Sequence, residues 1–259
     1  MNESITVTRD GFIATVVLNR PDKLNALTIT MWRDLGDTIT RLSTADDLRC
    51  IILRGAGERA FSPGNDIGEF ATVRANKAQA IAYGAVMHAT ADALAACRHP
   101  LVAQIHGICV GGGLEIAALC DLRICGASSR FGAPIKNLGL VMAYAEMAPL
   151  VRLVGPAVAL EILLEGRIMD AVEAKERRLV TRVVADADVA AEALATAQRI
   201  ADGAPLAARW HKKFARRLEQ PQPLTPAEQD ECFDCFDTED FRIGYAAFLA
   251  KHKPTFTGR

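Results

Sequence analysis

The 259-residue chain lacks an excess of charge of either sign: 30 Lys and Arg stand against 31 Asp and Glu, a formal net charge of −1. Overall charge therefore points neither to nucleic acid nor to an anionic membrane surface as a partner. No apolar run approaches the length of a membrane-spanning helix, so no membrane role is expected. The stretch MNESITVTRDG has no basic region followed by an apolar core, and the expectation is a cytoplasmic chain without a secretory signal. No repeat or low-complexity tract is visible. No ligand cluster or nucleotide fingerprint stands out, so neither metal nor cofactor is expected. The seven cysteines make an odd number, and Cys109 and Cys120 fall in apolar stretches, as reduced buried thiols do. What is present is apolar side chain, 50% of the residues, enough for a full core.

In chain order, Ile5–Thr8 and Phe12–Leu18 alternate and are joined by Arg9-Asp10-Gly11, a hairpin signal. NRPDKLNAL (19–27) reads as a loop. Thr28–Leu42 has helical periodicity with Thr28 as cap, and Cys50–Leu53 is a short buried strand. A glycine-rich loop (55–70) precedes an alanine-rich helix over 76–97. After Leu122–Cys125, another strand, 128–140 is turn-rich and irregular. Helices are expected over 143–154 and 156–164, split by Gly155-Pro156, and over 170–178, with a last strand at Thr181–Ala185. From Ala187 onward the pattern is wholly helical: 187–201, 206–218, 225–236 and 240–250. Interleaved strands and helices followed only by helices predict an α/β core, 1–186, with a helical C-terminal region, 187–259.

The most informative stretch is LVAQIHGICVGGGLEIAALCD (101–121). A buried strand, Leu101–Ile105, leads to Gly111, Gly112 and Gly113 and then to an apolar helix ending near Cys120. The first amides of a helix have no internal acceptor and lie at the positive end of its dipole, and glycine lets a ligand approach them. Glu115 sits in the first turn among apolar neighbours. Burial raises the pKa of a carboxyl toward the range of a general acid or base. An oxyanion-stabilising amide beside such a carboxyl is a catalytic arrangement.

With NRPDKLNAL (19–27), FSPGNDI (61–67), IHGICVGGGLEIAALCD (105–121), FGAP…LGL (131–140), RLVG (152–155) and the tail DTEDFRIGYAAFLAKHKPTF (237–256), the chain resembles the crotonase (enoyl-CoA hydratase/isomerase) superfamily over nearly its whole length. The resemblance implies a spiral of ββα units and a C-terminal helical region that builds a homotrimer or a dimer of trimers. It also implies an acyl-CoA thioester substrate, with coenzyme A part of that substrate rather than a cofactor. The thioester oxygen would be held by the N–H groups of Asn65 and Gly112, with Gly64, Asp66, Ile67 and Gly111 beside it. Lys23, Leu24 and Lys251 would contact the CoA moiety.

Two departures stand out. Hydratases of this family use two glutamates. One matches Glu115, but the other, expected after Pro134, is Ile135. The stretch that usually reads Pro-Gly-x-Gly-Gly is Met-Ala-Tyr-Ala-Glu (142–146), so Ala143 occupies the position where some isomerases carry their glutamate. Glu146 is then either an ordinary first-turn acidic residue or an inward-facing second carboxylate; Tyr144 is either a donor to the acyl group or a packing tyrosine. The expected function is an enolate-forming CoA-thioester enzyme with Glu115 as acid/base. An acyl-CoA decarboxylase, a double-bond isomerase and an inert thioester-binding protein are the alternatives. Segments 68–78 and 135–146 are expected to shape the acyl pocket. Cys232-x-x-Cys235 reads as helix packing, and His88, His99 and His106, without a carboxylate at readable spacing, as structural. The basic run Arg209–Lys213 reads as a solvated face or a contact to CoA phosphates.

Overall fold

The computed structural model describes residues 3–259. Among them the strands are β1 (Ile5–Asp10), β2 (Ile13–Leu18), β3 (Cys50–Gly55), β4 (Ala60–Ser62), β5 (Leu101–Ile105), β6 (Ile108–Val110), β7 (Leu122–Gly126), β8 (Arg130–Gly132), β9 (Met169–Asp170) and β10 (Arg182–Val184). The helices are α1 (Ile29–Ser43), α2 (Phe70–Val73), α3 (Lys77–Ala96), α4 (Gly112–Leu119), α5 (Tyr144–Glu165), α6 (Ala171–Glu176), α7 (Val189–Ala201), α8 (Pro205–Arg217), α9 (Pro226–Asp230) and α10 (Glu239–Ala250).

Six strands form one sheet in the order β1-β2-β3-β5-β7-β10, parallel except for the β1–β2 hairpin. A smaller sheet runs β4-β6-β8-β9. The strands β3, β5 and β7 enter the large sheet, and the strand after each, β4, β6 and β8, enters the small one before the chain turns helical. This is the expected spiral of ββα units. Alternation along each strand divides the large sheet's side chains between two faces. Ile51 and Leu53 join the main core with Met31, Trp32 and Leu35 of α1 and Met87 of α3. Cys50 and Ile52 face the other way, against Ala193, Ala197 and Ala201 of α7. The first helix beyond residue 186 thus closes the second face of the core sheet.

Local chemistry fixes the helix starts. Thr28 accepts the Met31 N–H at 3.2 Å, Asn76 accepts that of Gln79 at 3.0 Å and Thr238 that of Phe241 at 3.0 Å, each supplying an acceptor for an orphan amide. The expected break at Gly155 is a kink within α5, with Gly155 at φ 79°, ψ 162°. That kink also qualifies the expectation about apolar runs. By length and composition α5 could cross a membrane, but it is two shorter helices joined at a non-helical residue.

The regions read as loops are less irregular than expected. Segment 55–70 contains β4 and a 3-10 turn, 128–140 contains β8 and a 3-10 turn, and Ile108–Val110 forms β6. Strands of three residues are too short to show alternation, and their pairing comes from the neighbouring turns of the spiral. The helix expected over 225–236 ends at Asp230 and continues as a 3-10 segment, Glu231–Asp237.

In the basic run Arg209–Lys213, Arg209 and Lys212 dock α8, while His211 and Lys213 are exposed, with Lys213 paired to Glu231. Lys212, nearly buried, pairs with Asp121 at 2.7 Å and donates to the His99 carbonyl at 2.6 Å; Arg209 donates to the carbonyls of Asp46 and Leu48. His99 itself is fully buried, and neither ring nitrogen has a partner. Burial, reinforced by Arg209, Arg98 and Lys212, holds its pKa down at about 4 against an ordinary 6.5. A depressed histidine favours the fold at neutral pH, and that contribution is lost as pH falls from 6.5 toward 4. Between pH 7 and 4.5 the wild type should lose about 2–3 kcal/mol more in urea unfolding than His99→Gln does. Equal losses would show that His99 does not control acid stability.

Candidate active site

The site begins with Asn25, which is fully buried. Its Nδ2 donates to the carbonyls of Ala60 at 2.8 Å and Ala56 at 3.1 Å, and its Oδ1 accepts the Arg20 N–H at 3.1 Å. Ser62 Oγ donates to the Asn25 carbonyl at 2.9 Å and accepts the Gly64 N–H at 3.1 Å. Loop 19–27 is thereby fastened to 60–64, which sets Leu27 opposite Asn65 in a parallel bridge. Leu27 donates to the Gly64 carbonyl and accepts from the Asp66 N–H, both at 2.8 Å. In that register Leu27 bonds to the residues on either side of Asn65, and the Asn65 N–H is left without an acceptor. The side chain of Asn65 is fixed from behind by Trp32, whose Nε1 donates to Oδ1 at 2.7 Å.

The second amide comes from α4. Gly111 N–H donates to the Gly132 carbonyl at 2.9 Å, and the Glu115 N–H begins the helix by donating to Gly111 at 3.0 Å. The Gly112 N–H at the helix start has no acceptor. Two glycines allow the segments to meet backbone against backbone. A Cβ on Gly64, at φ 98°, would lie 2.8 Å from the Gly112 nitrogen, and one on Gly113 would lie 2.3 Å from the Ser62 carbonyl. The far end of α4 is satisfied by a buried Arg123, which donates to the carbonyls of Ala117 and Cys120 and, at 2.9 Å, of Leu179. Its charge opposes the negative end of the helix dipole.

Asn65 and Gly112 both line one cavity of about 160 Å³, whose wall also includes Gly111, Glu115, Ile135 and Glu146. Glu115 is covered by protein except where it meets this space. Burial pushes its pKa up to about 8 from 4.5, the nearby Glu146 carboxylate adds to the rise, and Arg74 opposes it. Glu146 is buried, and its Oε2 accepts the Ala143 N–H at 3.0 Å. Its Oε1 lies 3.4 Å from His88 Nε2. Glu115 and Glu146 also share a gap of about 10 Å³ with Trp32 and Met87, at the lower limit for a single water. A larger groove of about 980 Å³ lies between Ala95–Arg98 and the α8–α9 region, away from the two amides.

The sequence-expected residues divide clearly. Asn65, Ile67, Gly111, Gly112, Glu115, Ile135 and Glu146 line the cavity, and Gly64 lies directly behind the Gly112 amide. Asp66 does not face it: its carboxylate pairs with Arg20 at 3.0 Å and accepts the Gly68 N–H at 3.1 Å. Tyr144 is 95% exposed and is not among the residues that line the cavity, so it does not pack within this chain. Lys23, Leu24 and Lys251 lie outside the cavity, in the 3-10 turn Pro21–Lys23 and its cap and at the end of α10. His88 lies beside a carboxylate that no readable spacing gives: Glu146 is 58 positions away, and only the packing of α3 on α5 brings them together. Sequence reasoning also missed Phe70 and Arg74 on the cavity wall as individual residues, Trp32 as the support of Asn65, and Arg123. Segments 68–78 and 135–146 were expected to shape the pocket, and Phe70, Arg74, Leu138, Leu140 and Val141 come from them. Cys232 and Cys235 carry free thiols near the surface, and no group of three metal-ligating side chains occurs among the described residues.

Asn65 and Gly112, whose backbone N–H groups have no acceptor among the described residues, line one cavity with Glu115 on a spiral of ββα units, the architecture of an α/β protein. The family model for enoyl-CoA hydratase/isomerase matches residues 8–259, and the chain belongs to that family, the crotonase superfamily. It is 37% identical over 259 residues to a probable enoyl-CoA hydratase of Mycobacterium tuberculosis, covering 99% of both chains. It is 30% identical to a crotonyl-CoA hydratase of Syntrophomonas wolfei, again over 99% of each. A crystal structure of an enoyl-CoA hydratase/carnithine racemase from Magnetospirillum magneticum superposes with a TM-score of 0.98 at 54% identity, covering 100% of this chain and 97% of that one.

Proposed function

We propose that the chain is an enzyme that forms and quenches the enolate of an acyl-CoA thioester, in the manner of an enoyl-CoA hydratase. The observation that carries this reading is the convergence of two free amides and two glutamates on one cavity. The thioester oxygen accepts the N–H groups of Asn65 and Gly112. As charge moves onto that oxygen, the fixed amides and the α4 dipole stabilise it, and loss of one such donor typically raises a barrier by about 2.7–4 kcal/mol. Water addition across the 2,3 double bond needs an acid for C2 and a base for the water. Glu115 holds its proton near neutral pH and supplies the acid; Glu146, fixed by the Ala143 N–H and beside His88, takes the proton from water. Glu146 thus stands in for the carboxylate missing at Ile135. The CoA moiety extends out of the cavity past Lys23, Leu24 and Lys251, and neither metal nor separate cofactor takes part.

Ile135 favours a second reading. An apolar wall where the family keeps a carboxylate suits reactions that need the enolate but no activated water, a double-bond shift or a decarboxylation. Mass spectrometry of products from crotonyl-, 3-hydroxybutyryl- and malonyl-CoA separates these. A gain of water supports the first reading, a shifted bond or lost carbon dioxide the second, and tight binding without product would mean an inert thioester-binding protein. If Glu115 is the acid, kcat/KM for hydration should fall as pH rises through about 8, and Glu115→Gln should reduce it by at least about 100-fold with the fold intact. A rate that climbs through pH 8 would assign Glu115 the role of base instead.

The tail also fits a cytoplasmic trimer or dimer of trimers. Phe233, Phe236 and Phe248 are 62%, 54% and 81% exposed, with Tyr245 and Leu249 beside them, an apolar surface that symmetric association would cover. Sedimentation at micromolar concentration should give three or six copies; a monomer would contradict this assembly.

A further inference from the structure

One charged side chain on the cavity wall has no part in forming the enolate. Arg74 caps the C-terminal end of α2, and its guanidinium lies 5.0 Å from the Phe70 ring centroid and 5.1 Å from that of Tyr83. The two rings meet edge to face at 6.1 Å and form a seat that orients the cation. The carboxylates nearby are engaged elsewhere. Asp66 pairs with Arg20 at 3.0 Å, Glu69 accepts the Ile29 N–H at 2.9 Å, and Glu146 accepts the Ala143 N–H. Glu115 keeps its proton at neutral pH. Among the described residues Arg74 therefore makes no ion pair, although it is half-buried and faces the same space as Asn65, Gly112 and Glu115. A half-buried cation without a counter-ion is costly, and a ligand anion would remove that cost.

We infer that Arg74 selects acyl groups that end in a carboxylate, so that the thioester taken by this cavity is a short dicarboxylic half-thioester rather than one with a hydrocarbon tail. The space agrees with a short group. At about 160 Å³ the cavity is roughly the size of one that takes a single benzene ring. With the thioester oxygen at the two amides, an acyl group in this cavity shares it with Phe70, Arg74, Leu138 and Val141 of the same wall. The planar guanidinium suits a carboxylate, which it grips with two parallel N–H bonds. This inference rests on the CoA-thioester reading above and adds the identity of the acyl end.

Calorimetric titration with two saturated thioesters of five acyl carbons, glutaryl-CoA and pentanoyl-CoA, tests it without depending on turnover. The wild type should bind glutaryl-CoA about 10- to 100-fold more tightly, as a hydrogen-bonded charge pair predicts. Arg74→Leu should remove that preference while leaving the pentanoyl-CoA affinity nearly unchanged, and Arg74→Lys should keep part of it. Equal affinities in the wild type, tighter binding of a trimethylammonium-ended acyl-CoA, or a preference that survives Arg74→Leu would overturn the inference. So would an equal loss for both ligands in Arg74→Leu, which would place Arg74 on the shared CoA portion. Failure of both thioesters to bind the wild type would instead remove the CoA-thioester reading, and this inference with it.

Discussion

Two backbone N–H groups without acceptors among the described residues, on residues that line one cavity, are the constraint on which the rest of the structure depends. Leaving a buried amide unpaired is costly, so the surroundings must fix it there. At Asn65 this is done by a bridge whose bonds skip the residue; at Gly112 it is done by the start of a helix. Asn25 and Ser62 tie the first segment, Arg123 anchors the second, and Gly64 and Gly113 let the two touch. The ββα spiral serves the same end. The small sheet stacks β4, β6 and β8 side by side, so the loops that follow them meet around the cavity.

The electrostatics follow from that placement. Glu115 enters the cavity because it is in the first turn of the helix whose N-terminus supplies the amide. Its burial is the main reason it keeps a proton at neutral pH, and Glu146 strengthens the effect. Two carboxyls in one cavity with different partners can divide acid and base roles between them. Arg74 on the same wall adds a positive charge to the cavity, and it opposes the rise in the Glu115 pKa.

Much of this was legible in the sequence, and what was not has a common cause. The hairpin, α1 with its Thr28 cap, the break at Gly155 and the strand–glycine–helix unit around Gly112 all depend on residues close together in the chain. So does the placement of Glu115. The short strands β4, β6 and β8 were hidden because three residues carry no periodicity and their partners lie some 20–50 positions away. Separations of 33 to 91 positions likewise hid the His88–Glu146 contact, the Trp32–Asn65 bond and the docking of Lys212 on Asp121. Glu146 illustrates the limit well. Its place in a first helical turn left two readings open, and only the packing of α5 beside α4 turned it inward. Tyr144, two residues earlier, points out of the fold for the same helical reason.

The central claim is that Asn65, Gly112 and Glu115 together generate an enolate. Incubating the protein with butyryl-CoA in D₂O tests this directly, because a saturated thioester has no double bond to hydrate but still has exchangeable hydrogens at C2. The account predicts deuterium at C2, detected by mass spectrometry, with the native protein and almost none with Glu115→Gln. Tight binding of butyryl-CoA by the native protein with no deuterium at C2 would contradict it.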